Sequence, residues 1–175
     1  MSMNPPAIIL SSGYSKRLGQ PKSLVEINGK TLLSLAVDKL TLAGCSQVVV
    51  VVNKAIQFES VMNSNGARVV VNKNPDSGRT GSLKVGINSI ISDIGRIPNS
   101  IIMAPVDRPG WKSSHISELI KSKNSSCLYQ NGKKGHPVKL VKSDLLKIIN
   151  SPDEAPLRDL VAFDNTEVSE ALLSL

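Results

Sequence analysis

The sequence contains few aromatic residues and few cysteines or histidines. Its 175 residues include two Phe, two Tyr, one Trp, two Cys and two His. A net charge of +7 suggests a nucleic-acid partner at first sight, but the lysines are spread along the chain and few rings are available to stack on bases. Triphosphate ligands account for a basic chain equally well. We therefore expect small anionic ligands and no nucleic acid.

Long hydrophobic runs are also absent. The longest aliphatic run covers residues 48–52, which is far too short to cross a bilayer. No basic region precedes the first apolar stretch, as it would in a secretory leader. Cys45 and Cys127 are far apart and form no metal or redox motif. We expect a cytoplasmic protein with no membrane segment and with two buried free thiols.

Apolar patterns typical of strands and helices alternate along the chain. Strands are predicted at 7–12, 47–52, 67–71 and 100–104, and helices at 31–43, 55–63, 80–92 and 114–121. The pattern is looser after residue 125, with strands predicted at 126–130 and 137–141 and short helices at 145–149 and 157–162. This order predicts an α/β fold with three α/β/α layers and a mostly parallel sheet, in one domain over residues 1–175.

The loop after the first strand combines small, flexible and cationic residues. Gly13 and Gly19 permit a close approach of the backbone to a ligand, Arg17 offers a planar fork of donors, and Lys22 offers a point charge. The exposed amides of such a loop can converge on an anion. A bare pair of glycines would fit a basic surface turn as well, but the combination favours a phosphate-binding loop.

Residues 74–83 form a second polar loop, rich in glycine and hydroxyl groups, which leads directly into a predicted helix. Free amides and the dipole at a helix N-terminus favour an anion or a polar base edge. The structural alternative is that Thr80 simply caps the helix.

A single carboxylate, Asp107, follows the fourth predicted strand and is flanked by prolines. A capping role for it is not needed, because Ser113 and Ser114 stand closer to the next helix and cap well. Mg²⁺ prefers one or two carboxylates together with phosphate oxygens and water. The sequence thus indicates Asp107 as a metal ligand.

These motifs resemble those of the MobA-like nucleotidyltransferases. The family signature is similar to residues 10–22, which read Leu-x-x-Gly-x-Ser-x-Arg-x-Gly-x-x-Lys. A second pattern found in similar family members, Asn-x-x-x-Gly-x-x-x-Ser, is matched by residues 74–82. The resemblance implies a fold of the nucleoside-diphosphate-sugar transferase (GT-A-like) type, with a nucleotide-binding half at about 1–110 and an acceptor-side half at about 111–175. It implies nucleotide binding by Leu10, Ser11, Ser12, Gly13, Ser15, Arg17, Lys22, Asn74, Gly78 and Ser82, with Arg17, Lys22 and Asp107 catalytic.

The resemblance also implies the partners. Asp107 resembles the family aspartate that holds Mg²⁺ or Mn²⁺ on the triphosphate. Gly135-His136-Pro137 resembles an acceptor-side motif of the cytidylyltransferase branch, although His136 could instead be structural, and we assign it no role as a base. Ser12, where guanylyl-transferring relatives have glycine, favours CTP over GTP. In that branch the acceptor is molybdopterin, a phosphorylated small molecule of the molybdenum cofactor, and pyrophosphate is released.

One departure from the family pattern concerns the second metal carboxylate. Similar enzymes carry a late Asp-x-Asp-Thr-Pro segment, and Ser174 stands about where its first aspartate is expected. No motif supports a replacement among Asp159, Asp164, Glu167 and Glu170. Transfer to a sugar or polyol phosphate, or a catalytically impaired nucleotide-binding module, therefore remain alternatives, and the sequence does not predict the oligomeric state.

Overall fold

The computed structural model describes residues 4–13 and 19–171. These residues form nine strands and six α-helices. The strands are β1 (Ala7–Ser11), β2 (Glu26–Ile27), β3 (Lys30–Thr31), β4 (Val48–Val52), β5 (Arg68–Val71), β6 (Ser100–Pro105), β7 (Ser126–Gln130), β8 (Lys133–Val141) and β9 (Asp164–Glu167). The helices are α1 (Leu32–Leu42), α2 (Gln57–Met62), α3 (Arg79–Ile94), α4 (Ser113–Ile120), α5 (Lys142–Ile149) and α6 (Leu157–Leu160). Short 3₁₀ turns lie at Lys22–Leu24, Lys54–Ile56 and Pro75–Ser77.

Seven strands form one sheet in the order β5-β4-β1-β6-β8-β7-β9. The pairs β1–β4, β1–β6, β4–β5 and β7–β9 are parallel, whereas β8 is antiparallel to both of its neighbours. The chain moves outward from β1 through β4 to β5 and then returns to β6 on the other side of β1. The strand order therefore reverses between β1 and β6, and open sheets of this kind bind ligands beyond the carboxyl ends of the strands at such a point.

Both faces of the sheet are covered, because the buried strands are apolar on both sides. Ile9 lies in a core with α1 and α4, whereas its neighbours Ile8 and Leu10 lie in a core with α3 and α5. The helix side chains in the first core are Leu33, Ala36, Leu40, Ile116 and Leu119, and those in the second are Leu83, Ile87, Ile90, Leu145 and Ile148. The predicted three-layer α/β fold with a mostly parallel sheet is confirmed.

Helix α3 approaches the sheet closely at Gly86. A Cβ atom at this position would lie 2.8 Å from Cγ2 of Ile8 and 3.1 Å from Cγ2 of Val51. Because interiors are close-packed, only glycine permits this spacing. The contact fixes the middle of α3 against β1 and β4, and this sets how the helix lies on the sheet whose carboxyl edge carries the predicted binding residues.

Several local predictions needed correction. Ser113 and Ser114 do not cap α4; instead the backbone N–H of Lys112 donates to Nδ1 of His115 at 2.9 Å. Cys127 is buried as expected, but Cys45 is only partly buried. Among the described residues, no helix is long and apolar enough to span a membrane.

Candidate active site

A cleft of about 330 Å³ opens at the point where the strand order reverses. Its walls come from the end of β1, the turn at Lys22–Leu24, the start of α3 and the end of β6. At the floor of the cleft the ends of β1 and β6 are hydrogen-bonded to each other, since the N–H of Val106 donates to the carbonyl of Leu10 at 3.0 Å. The lining residues are Leu10, Ser11, Ser12, Gly13, Pro21, Lys22, Ser23, Ile56, Pro75, Gly78, Arg79, Ser82, Pro105, Val106 and Asp107.

Lys22 and Asp107 face each other in this cleft. Nζ of Lys22 donates to Oδ2 of Asp107 at 3.4 Å, and the side chains are 47% and 37% exposed. A pair so open to solvent contributes little to stability. It does place a phosphate-binding cation and a cation-binding carboxylate side by side.

A buried hydrogen-bond network supports the loop after β1. Oγ of Ser12 lies 2.5 Å from Oγ of Ser82, and Nδ2 of Asn72 donates to the same Ser82 oxygen at 3.0 Å. Nδ2 of Asn53 donates to the carbonyl of Ser12 at 3.2 Å. The network therefore joins the segments after β1, β4 and β5 to α3. Sequence reasoning missed both asparagines, although each directly follows a buried strand at the carboxyl edge of the sheet.

Ser11 also lines the cleft. It is 6% exposed, and its Oγ has no hydrogen-bond partner among the described residues. Buried polar groups are rarely left unsatisfied. Oγ of Ser11 is closed off from solvent, so a ligand in the cleft would reach it only if the wall moved.

The start of α3 presents Gly78, Arg79 and Ser82 to the cleft. Gly78 is the N-cap and has a φ of +100°, a conformation that favours glycine. Thr80 is not the cap, because its Oγ1 donates to the carbonyl of Ala155 at 2.6 Å. Arg79 was not singled out from the sequence, although it lies within the second polar loop immediately after Gly78.

Asn74 is exposed and does not line the cleft. Its backbone N–H donates to Oδ1 of Asn72 at 2.9 Å, and its carbonyl accepts from Oγ of Ser77 at 2.8 Å. Both contacts shape the turn that leads to Gly78. The predicted contact of Asn74 with nucleotide stays a prediction.

His136 lies near the cleft without lining it, and its Nε2 is 3.3 Å from Nη1 of Arg79. Because a guanidinium only donates, Nε2 accepts and the proton of the neutral ring is on Nδ1. Burial, together with the positive charges of Arg79 and Arg108, lowers the pKa of His136 to about 4, and the negative charge of Asp107 partly opposes this shift. His136 is therefore neutral near pH 7 and orients Arg79.

The segment that follows Asp107 is fastened to α1 by Lys39. Nζ of Lys39 donates to the carbonyls of Pro109 and Trp111 at 2.9 and 2.8 Å, and it lies 4.9 Å from the centroid of the Trp111 ring. Burial lowers the pKa of Lys39. These contacts hold the chain beyond β6 in place and so fix the position of Asp107.

Three residues of the sequence argument, Ser15, Arg17 and Ser174, lie outside the described residues. Within 4–13 and 19–171, no group of three or more His, Cys, Asp or Glu side chains could hold a metal ion. The carboxylates considered as replacements do not line the cleft. Two of them have other partners, since Glu170 pairs with Lys112 at 3.1 Å and Asp164 accepts from Asn124 at 2.9 Å.

Comparisons with known proteins identify the family of this chain. The family model for the MobA-like NTP transferase domain matches residues 7–168. A protein named nicotine blue oxidoreductase, from Paenarthrobacter nicotinovorans, is 30% identical over 143 residues, which is 75% of this chain and 68% of that protein. A probable molybdenum cofactor guanylyltransferase from Pyrococcus horikoshii is 30% identical over 123 residues, which is 69% of this chain but only 57% of that protein.

A solved structure with the same fold is that of Rv0371c from Mycobacterium tuberculosis in complex with manganese. The TM-score is 0.73 at 18% sequence identity, with 94% of this chain and 87% of that chain covered. At this identity the likeness establishes the fold alone. The match of the family model over nearly the whole chain shows more: this chain belongs to the MobA-like NTP transferase domain family and is a nucleotidyltransferase.

Proposed function

We propose that the protein transfers CMP from CTP to a phosphorylated acceptor, molybdopterin, and releases pyrophosphate. The observation that carries this proposal is the pairing of Lys22 with Asp107 in a cleft at the strand-order reversal. A nucleoside triphosphate needs both a cation for its phosphates and a carboxylate for its metal ion, and the cleft offers both.

The donor set of the cleft fits Mg²⁺ or Mn²⁺ held largely by the triphosphate itself. Asp107 is the single carboxylate among the described lining residues, and Mg²⁺ bound to nucleotides commonly uses one or two carboxylates and completes its shell with phosphate oxygens and water. A bound divalent ion would neutralise charge on the phosphates. That a structure of Rv0371c contains manganese supports the choice of metal.

The reaction requires no protein nucleophile. An oxygen of the acceptor phosphate attacks the α-phosphorus, the bond between the α-phosphorus and its bridging oxygen breaks, and pyrophosphate leaves with that electron pair. Lys22, together with Arg17, would stabilise the charge that develops on the leaving group. The amides around Ser12 and Gly13 would hold phosphate, and the hydrogen bond between Ser12 and Ser82 would hold Ser12 against α3.

The preference for CTP rests on Ser12. Its side chain is 5% exposed, lies on the cleft wall and is hydrogen-bonded to Ser82. A side chain at this position takes space that a glycine would leave to a larger base. The relative named a guanylyltransferase keeps GTP as the alternative nucleotide, and a sugar or polyol phosphate is the alternative acceptor.

The proposal is tested by following pyrophosphate release with CTP, GTP, ATP or UTP, with molybdopterin as acceptor and with Mg²⁺ present or absent. Release that needs Mg²⁺ and the acceptor, and that is fastest with CTP, is expected. One relative is named an oxidoreductase, so nucleotide binding alone would not identify the reaction. Formation of the transfer product is therefore measured as well as nucleotide binding. Tight nucleotide binding with no release under any condition would identify a binding module instead.

A further inference from the structure

A second cavity, of about 300 Å³, lies beside the cleft at the start of α3. It is lined by Arg79 and Thr80 of α3 and by residues 153–158, which lead into α6. Arg79 lines the cleft as well. The two cavities therefore share Arg79 as a lining residue.

The walls of the second cavity are held together by direct hydrogen bonds. The N–H of Gly81 donates to the carbonyl of Asp153 at 3.1 Å, and Thr80 donates to Ala155. Nζ of Lys84 donates to Oδ1 of Asp153 at 2.7 Å. A Cβ at Gly81 would lie 3.3 Å from Cβ of Asp153. The cavity is thus formed before any ligand arrives, which reduces the entropic cost of binding.

The lining carries two arginines and two carboxylates, but because Lys84 pairs with one of the carboxylates, a net positive charge of one remains and favours an anionic ligand with a polar body. Arg79 and Arg158 contribute two guanidinium groups, whose fork geometry suits phosphate. The negative charge of Asp153 is paired with Lys84. Glu154 is exposed and offers an acceptor for N–H groups, and Leu157 adds apolar surface.

His136, which does not line the second cavity, contacts Arg79. Its Nε2 accepts from Arg79, and a neutral imidazole does so without competing for an anion. The guanidinium keeps further N–H donors, because it has five in all. Arg79 can therefore remain bonded to His136 while it binds a ligand.

We propose that the second cavity holds the body of the phosphorylated acceptor and that Arg79 binds the acceptor phosphate at the boundary with the nucleotide cleft. The ligand class is a phosphate monoester of a small polar molecule. His136 is a positioning residue that acts through Arg79. This inference rests on the proposed nucleotidyl transfer, since that reaction requires the acceptor phosphate and the nucleotide to meet.

The test uses two probes, glycerol 3-phosphate and a stable pterin phosphate monoester, added to ¹⁵N-labelled protein that contains Mg²⁺ and a non-hydrolysable CTP analogue. Saturable shifts of the amide signals of Thr80 and of residues 153–158 are expected. Because a charge-assisted hydrogen bond is lost, Arg158→Ala should raise the Kd of the probe about tenfold and leave the Kd of the CTP analogue unchanged. Arg96→Ala, two residues beyond the far end of α3, is the matched control and should change neither value.

The role of His136 is tested by two variants of that position. His136→Gln keeps an acceptor for Arg79, whereas His136→Leu does not. The Leu variant should weaken probe binding and the Gln variant should restore most of it, while the two have equal melting temperatures. Equal probe Kd values in both would overturn the positioning role.

The cavity assignment is overturned if neither probe gives saturable shifts at residues 153–158, or if Arg158→Ala leaves the probe Kd unchanged. Failure of the proposed function looks different. In that case no nucleoside triphosphate binds the cleft, while the phosphate probes still bind the second cavity in an Arg158-dependent manner.

Discussion

Nζ of Lys22 and Oδ2 of Asp107 lie 3.4 Å apart, although 85 residues separate them in the sequence. The fold brings them together because β1 and β6 are parallel neighbours whose carboxyl ends meet at one edge of the sheet. Their exposed pair contributes little to stability. We therefore expect changes at these two positions to affect ligands far more than folding.

Lys22→Ala should weaken triphosphate binding. Loss of a charge-assisted contact to phosphate costs about 1.5–3 kcal/mol, or roughly ten- to a hundredfold in Kd. Lys30→Ala is the matched control, since Lys30 forms a comparable exposed pair with Asp38 at 3.2 Å outside the cleft. Calorimetric titration with CTP and Mg²⁺ measures both. Equal affinities of Lys22→Ala and Lys30→Ala for CTP would show that Lys22 does not bind the triphosphate.

Asp107→Asn should abolish the dependence of nucleotide binding on Mg²⁺ and leave the melting temperature nearly unchanged. The substitution removes the charge that anchors the ion without changing the size of the side chain. Turnover should fall by about two to three orders of magnitude, as is typical when one stabilising charge is removed. Titrations with and without Mg²⁺ provide the measurement. An unchanged Mg²⁺ dependence would place the metal elsewhere.

Ser12→Gly should shift the nucleotide preference toward GTP. The substitution empties space beside the base and also removes the hydrogen bond to Ser82. We expect a change of about tenfold in the ratio of kcat/KM values for CTP and GTP, as for other small changes in pocket volume. Ser12→Ala separates the two effects, because it keeps a small side chain without the hydroxyl and should retain the preference for CTP. An unchanged ratio in Ser12→Gly, or a preference for GTP in the unmodified protein, would contradict the role given to Ser12.

The low pKa of His136 predicts a specific dependence of stability on pH. Burial and the nearby arginines lower its pKa to about 4 in the folded state, from an unfolded value of 6.5. Between these values the unfolded chain binds the proton and the folded chain does not, so the free energy of unfolding falls as pH is lowered from 6.5 toward 4. Chemical unfolding of the unmodified protein and of His136→Gln across this pH range measures the contribution of His136 to the free energy of unfolding. The free energy of unfolding should fall less steeply with pH in the variant than in the unmodified protein. Identical slopes in the two proteins would contradict the low pKa of His136.

Lys39→Met should loosen the chain segment after Asp107. The variant leaves the carbonyls of Pro109 and Trp111 without their shared donor, which costs about 1–3 kcal/mol of stability. The Mg²⁺ concentration needed for half-maximal activity should rise as Asp107 loses its fixed position. Lys39→Arg, which keeps a donor, should recover part of both. A loss of stability with no change in the Mg²⁺ requirement would limit Lys39 to a structural role.

The sequence predicted the parts of the fold whose residues show a clear apolar pattern. Strands β1, β4 and β6 are continuous apolar runs, and their ends were placed within about one residue. Strand β9, with the sequence Asp-Asn-Thr-Glu, was not predicted, because it pairs at the edge of the sheet and lacks an apolar face. Strand β8 begins at Lys133, four residues before the predicted start at Pro137, since polar residues extend it beyond the core.

Gly13 and Lys22, which belong to one continuous motif, line the cleft, and their roles in ligand binding stay predictions. The sequence did not indicate contacts that depend on tertiary structure. Nothing local to Arg79 indicates that it meets His136, 57 residues later. The contact of Asn72 with Ser82 likewise depends on how α3 packs against the sheet. Contacts of this kind can be found only from the three-dimensional structure.

The binding of a metal–triphosphate complex by Lys22 and Asp107 is best tested by a crystal structure of the protein with CTP and Mn²⁺, in which the metal is located from its anomalous signal. We expect the triphosphate in the cleft between the ends of β1 and β6, against Lys22, with the manganese peak at the Asp107 carboxylate. A nucleotide bound outside this cleft, or a metal ion distant from Asp107, would contradict this expectation.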